Sequence, residues 1–163
     1  MTRVPLVLLS CVAATPLYAA QLTSVSVLDQ DTAWAVGGPA LPLVKTTNGG
    51  AAWQQVGPAL NPFDTNRVVA VTADVGWATG DSGMVKRTDD GGQSWSLQRP
   101  PGVGAYLFTV TARDTQVAWA VGSKEIDQNA GWLLRTFDGQ SWEARLAPVN
   151  ASLSGVSFVG ARR

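Results

Sequence analysis

Side chains that could bind a metal ion or exchange a proton recur in three short polar turns. They are Asn48, Asp90 and Asp138, and each follows a threonine by two residues and precedes glycine and then tryptophan. A calcium loop of the EF-hand type needs oxygen ligands at alternate positions and a distant glutamate, and this spacing differs from it. The side-chain oxygens can instead accept hydrogen bonds from backbone N–H groups of their own tight turns. We therefore predict a structural role for these residues and no metal site.

Three cations occupy a second repeated position, immediately before the threonine of each turn. They are Lys45, Arg87 and Arg135. If the repeats form a ring, these side chains could present a positive patch to an acidic protein partner. The alternative is that each cation lies over a neighbouring tryptophan or pairs with a nearby acid. The sequence leaves both interpretations open, and these three residues are the candidate binding site.

The composition favours an all-β chain and argues against nucleic-acid binding. The 163 residues are 45% apolar and 15% charged, with 17 glycines, 9 prolines and 7 tryptophans. Lysine plus arginine equals aspartate plus glutamate, at 12 each, so no basic excess exists to neutralise phosphates. Short alternating apolar segments bounded by turn residues are frequent, whereas long charged helical runs are not.

A tryptophan that recurs at a regular spacing sets the period of the repeat. Trp34, Trp77 and Trp119 lie 43 and 42 residues apart. Four short strand patterns surround each of them, and a period of about 40 to 50 residues with four strands is typical of a β-propeller blade. We predict four-stranded antiparallel blades. Their repeated structural residues are Trp34, Asn48, Gly50, Trp53, Trp77, Asp90, Gly92, Trp95, Trp119, Asp138 and Trp142.

The predicted blades cover about 22–60, 66–101 and 105–147, and residues 152–163 match the start of a fourth, with an opening strand at Leu153–Val159. Closed propellers usually have four to eight blades, so three would leave open edges through which chains could associate. Because the sequence stops in mid-unit, we expect a truncated propeller. The alternatives are a fragment that assembles with another copy and an open three-blade stack.

Residues 1–20 have the pattern of a secretory signal peptide. Arg3 supplies a positive charge, Val4–Ala14 is apolar, and small residues lead up to Ala20. The apolar run is too short to span a bilayer, which takes about 20 residues. We expect cleavage near Ala20 and a secreted or periplasmic protein, with a lipoprotein modified at Cys11 as the less favoured alternative. After cleavage the chain would contain neither cysteine nor histidine.

The segment Thr88–Trp95 reads Thr-x-Asp-x-Gly-x-Ser-Trp and resembles the Asp-box, or bacterial neuraminidase (BNR) repeat. Upstream of the first and third boxes stands Trp-Ala-Val-Gly, and upstream of the second stands Trp-Ala-Thr-Gly. With this segment the unit resembles the photosystem II stability/assembly-factor family over nearly all of Leu22–Arg163. This resemblance implies a β-propeller that serves as a non-enzymatic binding or assembly scaffold for another protein. The first box departs from the pattern at Asn48 and Ala52, and the third is one residue shorter.

The alternative function is a fragment of a sialidase-like glycoside hydrolase, because Asp-boxes also occur in those propellers. That chemistry needs an arginine cluster, a Tyr–Glu nucleophile pair and an acid/base aspartate. The sequence after the signal segment offers Tyr106, Glu125 and Glu143, and Tyr106 opens an apolar strand typical of a core. Without histidine, a Ser–His pair and a Cys/His metal site are excluded. We predict no enzyme activity and no cofactor.

Overall fold

The computed structural model describes residues 21–38, 42–60, 65–98, 100, 104–124, 129–148 and 150–158. These residues form twelve β-strands and no helix, which confirms the predicted all-β class. The strands make three antiparallel sheets of four, and within each sheet the strands lie side by side in chain order. Each sheet is one blade of a partial β-propeller.

The strand bounds follow the repeat. Blade 1 contains β1 Leu22–Val27, β2 Ala33–Gly37, β3 Pro42–Thr46 and β4 Gln54–Ala59. Blade 2 contains β5 Thr65–Ala70, β6 Gly76–Gly80, β7 Val85–Thr88 and β8 Ser96–Leu97. Blade 3 contains β9 Ala105–Ala112, β10 Ala118–Lys124, β11 Gly131–Thr136 and β12 Glu143–Leu146.

The second strand of each blade carries the inner tryptophan and lies between two other strands. Every residue of β2 and of β6 is buried, because each of these strands lies between two others of its own sheet and packs against a neighbouring blade. The register places each inner tryptophan directly opposite the repeated cation on the third strand. The pairs are Trp34 with Lys45, Trp77 with Arg87, and Trp119 with Arg135.

The hydrophobic core lies between blades rather than within one. The cluster between blades 1 and 2 contains Trp34, Val36, Leu43, Leu60, Val68 and Ala78. The cluster between blades 2 and 3 contains Trp77, Val85, Ala105, Leu107, Val110, Ala118, Ala120, Leu134 and Trp142. A sheet with two apolar faces must bury both, so each blade depends on its neighbours for stability.

Hydrogen bonds between the first strands of neighbouring blades fix the offset of one blade relative to the next. Thr23 Oγ1 donates to the Thr65 carbonyl (2.5 Å), and Asn66 Nδ2 donates to the Leu107 carbonyl (2.9 Å). Thr23 and Asn66 hold equivalent places, since each stands at a register shift of its own first strand. A bulge of this kind turns a side chain out of the regular alternation, here towards the following blade.

Two details differ from the sequence-based expectation. The outermost strand of blade 2 is only Ser96–Leu97, whereas the segment 95–98 after the box turn has the pattern of a four-residue strand. Residues 153–158, the described part of the predicted opening strand Leu153–Val159, are not in a strand. A strand requires a partner for its ladder of backbone hydrogen bonds, and no strand among the described residues pairs with this segment.

Candidate functional site

The box of blade 2 is a closed set of hydrogen bonds around one carboxylate. Thr88 Oγ1 donates to Asp90 Oδ1 (2.8 Å) and accepts from the Gly92 N–H (2.8 Å). Ser94 donates its N–H to Asp90 Oδ1 (2.9 Å) and its hydroxyl to Oδ2 (2.5 Å). Gly92 adopts φ +94°, a backbone conformation that glycine reaches without steric cost. Both carboxylate oxygens therefore serve the turn.

The other two boxes reproduce this arrangement with small changes. In the first, Asn48 Oδ1 accepts from the Ala52 N–H at 2.9 Å, so an amide oxygen replaces the carboxylate. In the third, Asp138 Oδ1 accepts from the N–H groups of Gln140 and Ser141, both at 2.8 Å. The missing residue tightens that turn without removing the acceptor.

These hydrogen bonds also decide what chemistry the acids can perform. The Ser94 hydroxyl and N–H together lower the pKa of Asp90 to about 2. The N–H groups of Gln140 and Ser141 likewise lower the pKa of Asp138 well below its usual value. Both groups are therefore ionised at neutral pH and cannot donate a proton. The described residues include no group of three or more His, Cys, Asp or Glu placed to hold a metal ion.

The box tryptophans of blades 2 and 3 pack against the preceding blade, a contact that the repeat pattern did not indicate. The Trp95 ring meets the inner Trp34 ring edge-on, with centroids 6.5 Å apart. Trp142 belongs to the same cluster as Trp77 and is only 8% exposed. Trp53, in the first box, is 37% exposed, and no preceding blade is present among the described residues.

Lys45, the first candidate cation, connects blade 1 to blade 2. Its Nζ lies 4.6 Å from the Trp34 ring centroid and donates to the carbonyls of Ala73 and Gly91, both at 3.1 Å. Burial lowers the pKa of the Lys45 ammonium, and the nearby Asp74 carboxylate partly opposes this change. The cation is thus largely occupied by the neighbouring blade.

Arg87 makes the equivalent connection from blade 2 to blade 3. Its Nη1 donates to the carbonyls of Thr115 (2.7 Å) and Gly139 (3.3 Å), and its Cζ lies 4.7 Å from the Trp77 ring centroid. Asp89 accepts from the other side of the guanidinium at 2.6 Å. The Arg87 side chain is only 8% exposed, so little of it remains for an external partner.

Arg135, the third candidate, is more accessible to a partner than Arg87. Its side chain is 31% exposed, and Glu143 accepts from its Nε (3.0 Å) and Nη2 (2.8 Å). The guanidinium lies 4.9 Å from the Phe137 ring centroid and 6.0 Å from that of Trp119. Phe137 is 56% exposed, so cation and aromatic ring share one surface.

Residue types alone did not reveal the acceptors on the neighbouring blade or the ion pair between Arg135 and Glu143. The acceptors are backbone carbonyls, which carry no residue-type signal. Glu143 stands next to the box tryptophan, but only the register of β11 with β12 places it opposite Arg135. Sequence periodicity therefore identified the cations without identifying their partners.

The residues considered for glycoside hydrolysis are not brought together. Tyr106 is on β9, the innermost strand of blade 3, whereas Glu143 is on β12, the outermost. Glu125 lies outside the described residues. A Tyr–Glu nucleophile pair between Tyr106 and Glu143 is therefore absent.

The fold and the three boxes define this chain as a β-propeller protein built from Asp-box repeats. The family model described as Photosynthesis system II assembly factor YCF48 matches residues 12–123, and the chain belongs to this family. A curated relative, the Photosystem II assembly lipoprotein Ycf48 of Synechococcus sp. (strain CC9902), is 30% identical over 105 residues, which are 61% of this chain and 29% of the relative.

Solved structures show the same fold. YCF48 bound to D1 peptide is 27% identical, with a TM-score of 0.62 over 77% of this chain and 40% of that one. YCF48 from Cyanidioschyzon merolae is 22% identical, with a TM-score of 0.59 over 77% and 39%. An ancestral GH74 enzyme is 16% identical, with a TM-score of 0.63 over 81% and 19%, which shows the fold alone. The chain thus spans less than half the length of each of these proteins.

Proposed function

We propose that the chain is a non-enzymatic scaffold that binds an acidic segment of a protein partner, with Arg135 as the main contact. Membership of the assembly-factor family supports a scaffold. One solved relative is described as bound to a peptide, which supports a peptide segment as the ligand. The observation that carries the proposal is the difference in exposure between Arg135 and Arg87, 31% against 8%.

The surroundings of Arg135 suit a carboxylate ligand. A guanidinium forms paired hydrogen bonds with a carboxylate, as it already does with Glu143. The Glu143 side chain is 58% exposed, so an acidic ligand can replace it at little cost in buried surface. Exposed Phe137 beside the guanidinium supplies apolar area for a neighbouring side chain of the ligand. Lys45 and Arg87 contribute by holding the blades together.

Replacing Arg135 by glutamine is expected to weaken binding of a labelled Asp/Glu-rich peptide by roughly tenfold or more, because a charge-assisted pair is lost. Replacing Glu143 by glutamine is expected to strengthen it, because the intramolecular competitor is removed. Fluorescence anisotropy with the purified chain measures both. Arg113→Gln is the matched control, since Arg113 is also exposed and paired with an acid, Asp114.

Two results would contradict this proposal. One is unchanged affinity for the acidic peptide after Arg135→Gln. The other is equal binding of a peptide in which Asn and Gln replace every acid. A loss of binding in the Arg113→Gln control would indicate a diffuse electrostatic effect and would also count against Arg135 as the contact.

Export of the chain is part of the same proposal. Residues 1–20 lie outside the described residues, so the predicted signal peptide rests on its sequence pattern. The curated relative is called a lipoprotein, which supports lipid attachment at Cys11 over cleavage near Ala20. The described residues contain no helix long and apolar enough to cross a membrane. The mass of the mature chain is expected to match a lipidated N-terminal Cys11, and an N-terminus at Gln21 or Met1 would refute that.

A further inference from the structure

The outer strand of one blade meets the box of the next blade twice within the described residues, and the two contacts differ. Val56 of blade 1 and Gln98 of blade 2 hold equivalent places in them. Val56 pairs with Leu43 on the third strand. The Gln98 N–H donates to the carbonyl of the residue equivalent to Leu43, which is Val85 (2.8 Å). Both contacts join four-stranded blades, so they can be compared directly.

The contact between blades 1 and 2 is tightly packed at the box. The backbone of the blade 2 box lies on β4 so closely that a Cβ atom added at Gly57 would overlap the Gly92 carbonyl oxygen. Val56 and Trp95 pack against the apolar cluster between these blades. The cavity beside Val56 has a volume of about 240 Å³ and is lined by described residues of blade 1 alone, which include the cation Lys45.

The contact between blades 2 and 3 lacks the residue that makes this close approach. Gly139 in the box of blade 3 corresponds to Gly91 in the box of blade 2, with φ of +70° and +72°. Each lies against the cation of the preceding blade, Arg87 or Lys45. The residue missing from the shorter box is therefore the equivalent of Gly92, whose carbonyl reaches the outer strand of blade 1. The shorter turn leaves a gap beside the outer strand of blade 2.

Gln98 crosses the inner side of this gap with hydrogen bonds. Its Oε1 accepts from Trp142 Nε1 (2.9 Å), and its Nε2 donates to the Gly139 carbonyl (2.8 Å). The equivalent Val56 cannot accept a hydrogen bond, and Trp95 Nε1 is buried without a partner among the described residues. An apolar contact between blades 1 and 2 is thus replaced by a polar bridge between blades 2 and 3.

A cavity of about 480 Å³ lies beside this bridge, between the outer strand of blade 2 and the box of blade 3. Small-ligand sites typically measure roughly 300–1,000 Å³, so the cavity has the size of such a site. No charged side chain is among the described residues that line it. Its wall is formed by hydroxyl and amide side chains with some apolar surface, from Ser96, Gln98, Gln140, Ser141, Leu97 and Pro100.

We propose that this cavity binds a neutral saccharide. Sugar hydroxyls both donate and accept hydrogen bonds, as do the serine hydroxyls and glutamine amides of the wall. Leu97 is 52% exposed and offers apolar surface to the C–H face of a sugar ring. The Gln140 side chain is exposed and receives only a long contact of 3.4 Å from Gln98 Nε2, so its amide is available to a ligand.

Other ligand classes fit this cavity less well. A charged group would lose water without gaining a counter-charge from the described wall, and burying it unpaired is costly. A peptide that adds to a sheet edge needs a run of free backbone groups, and β8 offers only Ser96–Leu97. The site is also separate from the proposed contact for an acidic partner, because neither Arg135 nor Glu143 lines the cavity.

Titration of the purified chain with cellotetraose and with maltotetraose, two neutral tetrasaccharides of opposite linkage, tests the proposal. The NMR signal of the Trp142 indole N–H reports binding, since this group lies in the cavity wall. At least one sugar is expected to bind, and Gln140→Ala is expected to weaken it by roughly fivefold or more. Gln93→Ala is the matched control and should bind normally, because Gln93 holds the equivalent exposed place in the box of blade 2.

A longer box provides a second variant. Inserting one glycine after Gly139 restores the length of the blade 2 box and is expected to abolish sugar binding, because the added backbone should fill the gap as Gly92 does between blades 1 and 2. Urea unfolding establishes that the inserted chain folds. Sugar binding that persists in this folded variant would contradict the placement of the site.

Four further results would overturn the proposal. They are no binding of either sugar, binding that Gln140→Ala leaves unchanged, preference for tetragalacturonic acid over both neutral sugars, and preference for the neutral Asn/Gln peptide. The third would indicate an anion site and the fourth a peptide site. Gln140→Ala should leave the affinity for the acidic peptide unchanged, and Arg135→Gln should leave sugar binding unchanged, so failure of one proposal is distinguishable from failure of the other.

Discussion

Replacing Arg87 by glutamine is expected to lower the free energy of unfolding by about 3 kcal/mol. The guanidinium is 8% exposed and donates to two carbonyls of blade 3 while it lies over the Trp77 ring. Glutamine is shorter and uncharged, so it leaves the Thr115 and Gly139 carbonyls without this donor and removes the contact with the ring. Urea unfolding at neutral pH, followed by tryptophan fluorescence, measures the loss.

Arg135→Gln provides the comparison at the equivalent position of blade 3. Arg135 is 31% exposed and pairs with an exposed glutamate, and such surface pairs contribute less than about 1 kcal/mol. The two substitutions remove the same atoms, so the difference between them reports the contact between blades 2 and 3. Equal losses would contradict the assignment of Arg87 as the residue that holds those blades together.

The blades could be predicted from the sequence because their determinants are local and repeat. Each box needs a hydroxyl, an acceptor oxygen and a glycine within a few residues, and each inner tryptophan stands in one short strand of five to seven residues. Such signals can be recognised in a single sequence, because neither the box nor the strand of the inner tryptophan depends on a distant partner. The positions of Trp34, Trp77 and Trp119 were sufficient to order four strands around each.

The roles of the cations could not be predicted in the same way. The carbonyls that accept from Arg87 lie 28 and 52 residues further along the chain. Their placement depends on how one blade is displaced against the next, which the bulge residues Thr23 and Asn66 help to fix. Equivalent cations therefore differ in how accessible they are to a partner, because a following blade covers Arg87 and not Arg135 among the described residues. The residue type does not indicate which cation is covered.

The accessibility of the candidate site follows from the same dependence on a neighbouring blade. Arg135 is more accessible than Arg87 because the face of blade 3 that carries Arg135 is not covered by a complete blade among the described residues. A partner that covered this face would give Arg135 the surroundings that Arg87 already has.

Trp77→Ala is expected to have the largest effect on stability, a loss of about 4 kcal/mol, as is typical of truncating a fully buried tryptophan. Trp77 has no exposure and joins the core cluster between blades 2 and 3. Alanine would leave a cavity that the flanking strands cannot close, because the ladder of hydrogen bonds holds their spacing. Urea unfolding at low protein concentration measures the loss, provided that the denaturant dependence (m) is unchanged.

Trp119→Ala is the matched variant, and its expected loss is about half as large, because Trp119 is only half-buried. Equal losses would contradict this assignment, since they would mean that the Trp119 ring is as well covered as that of Trp77.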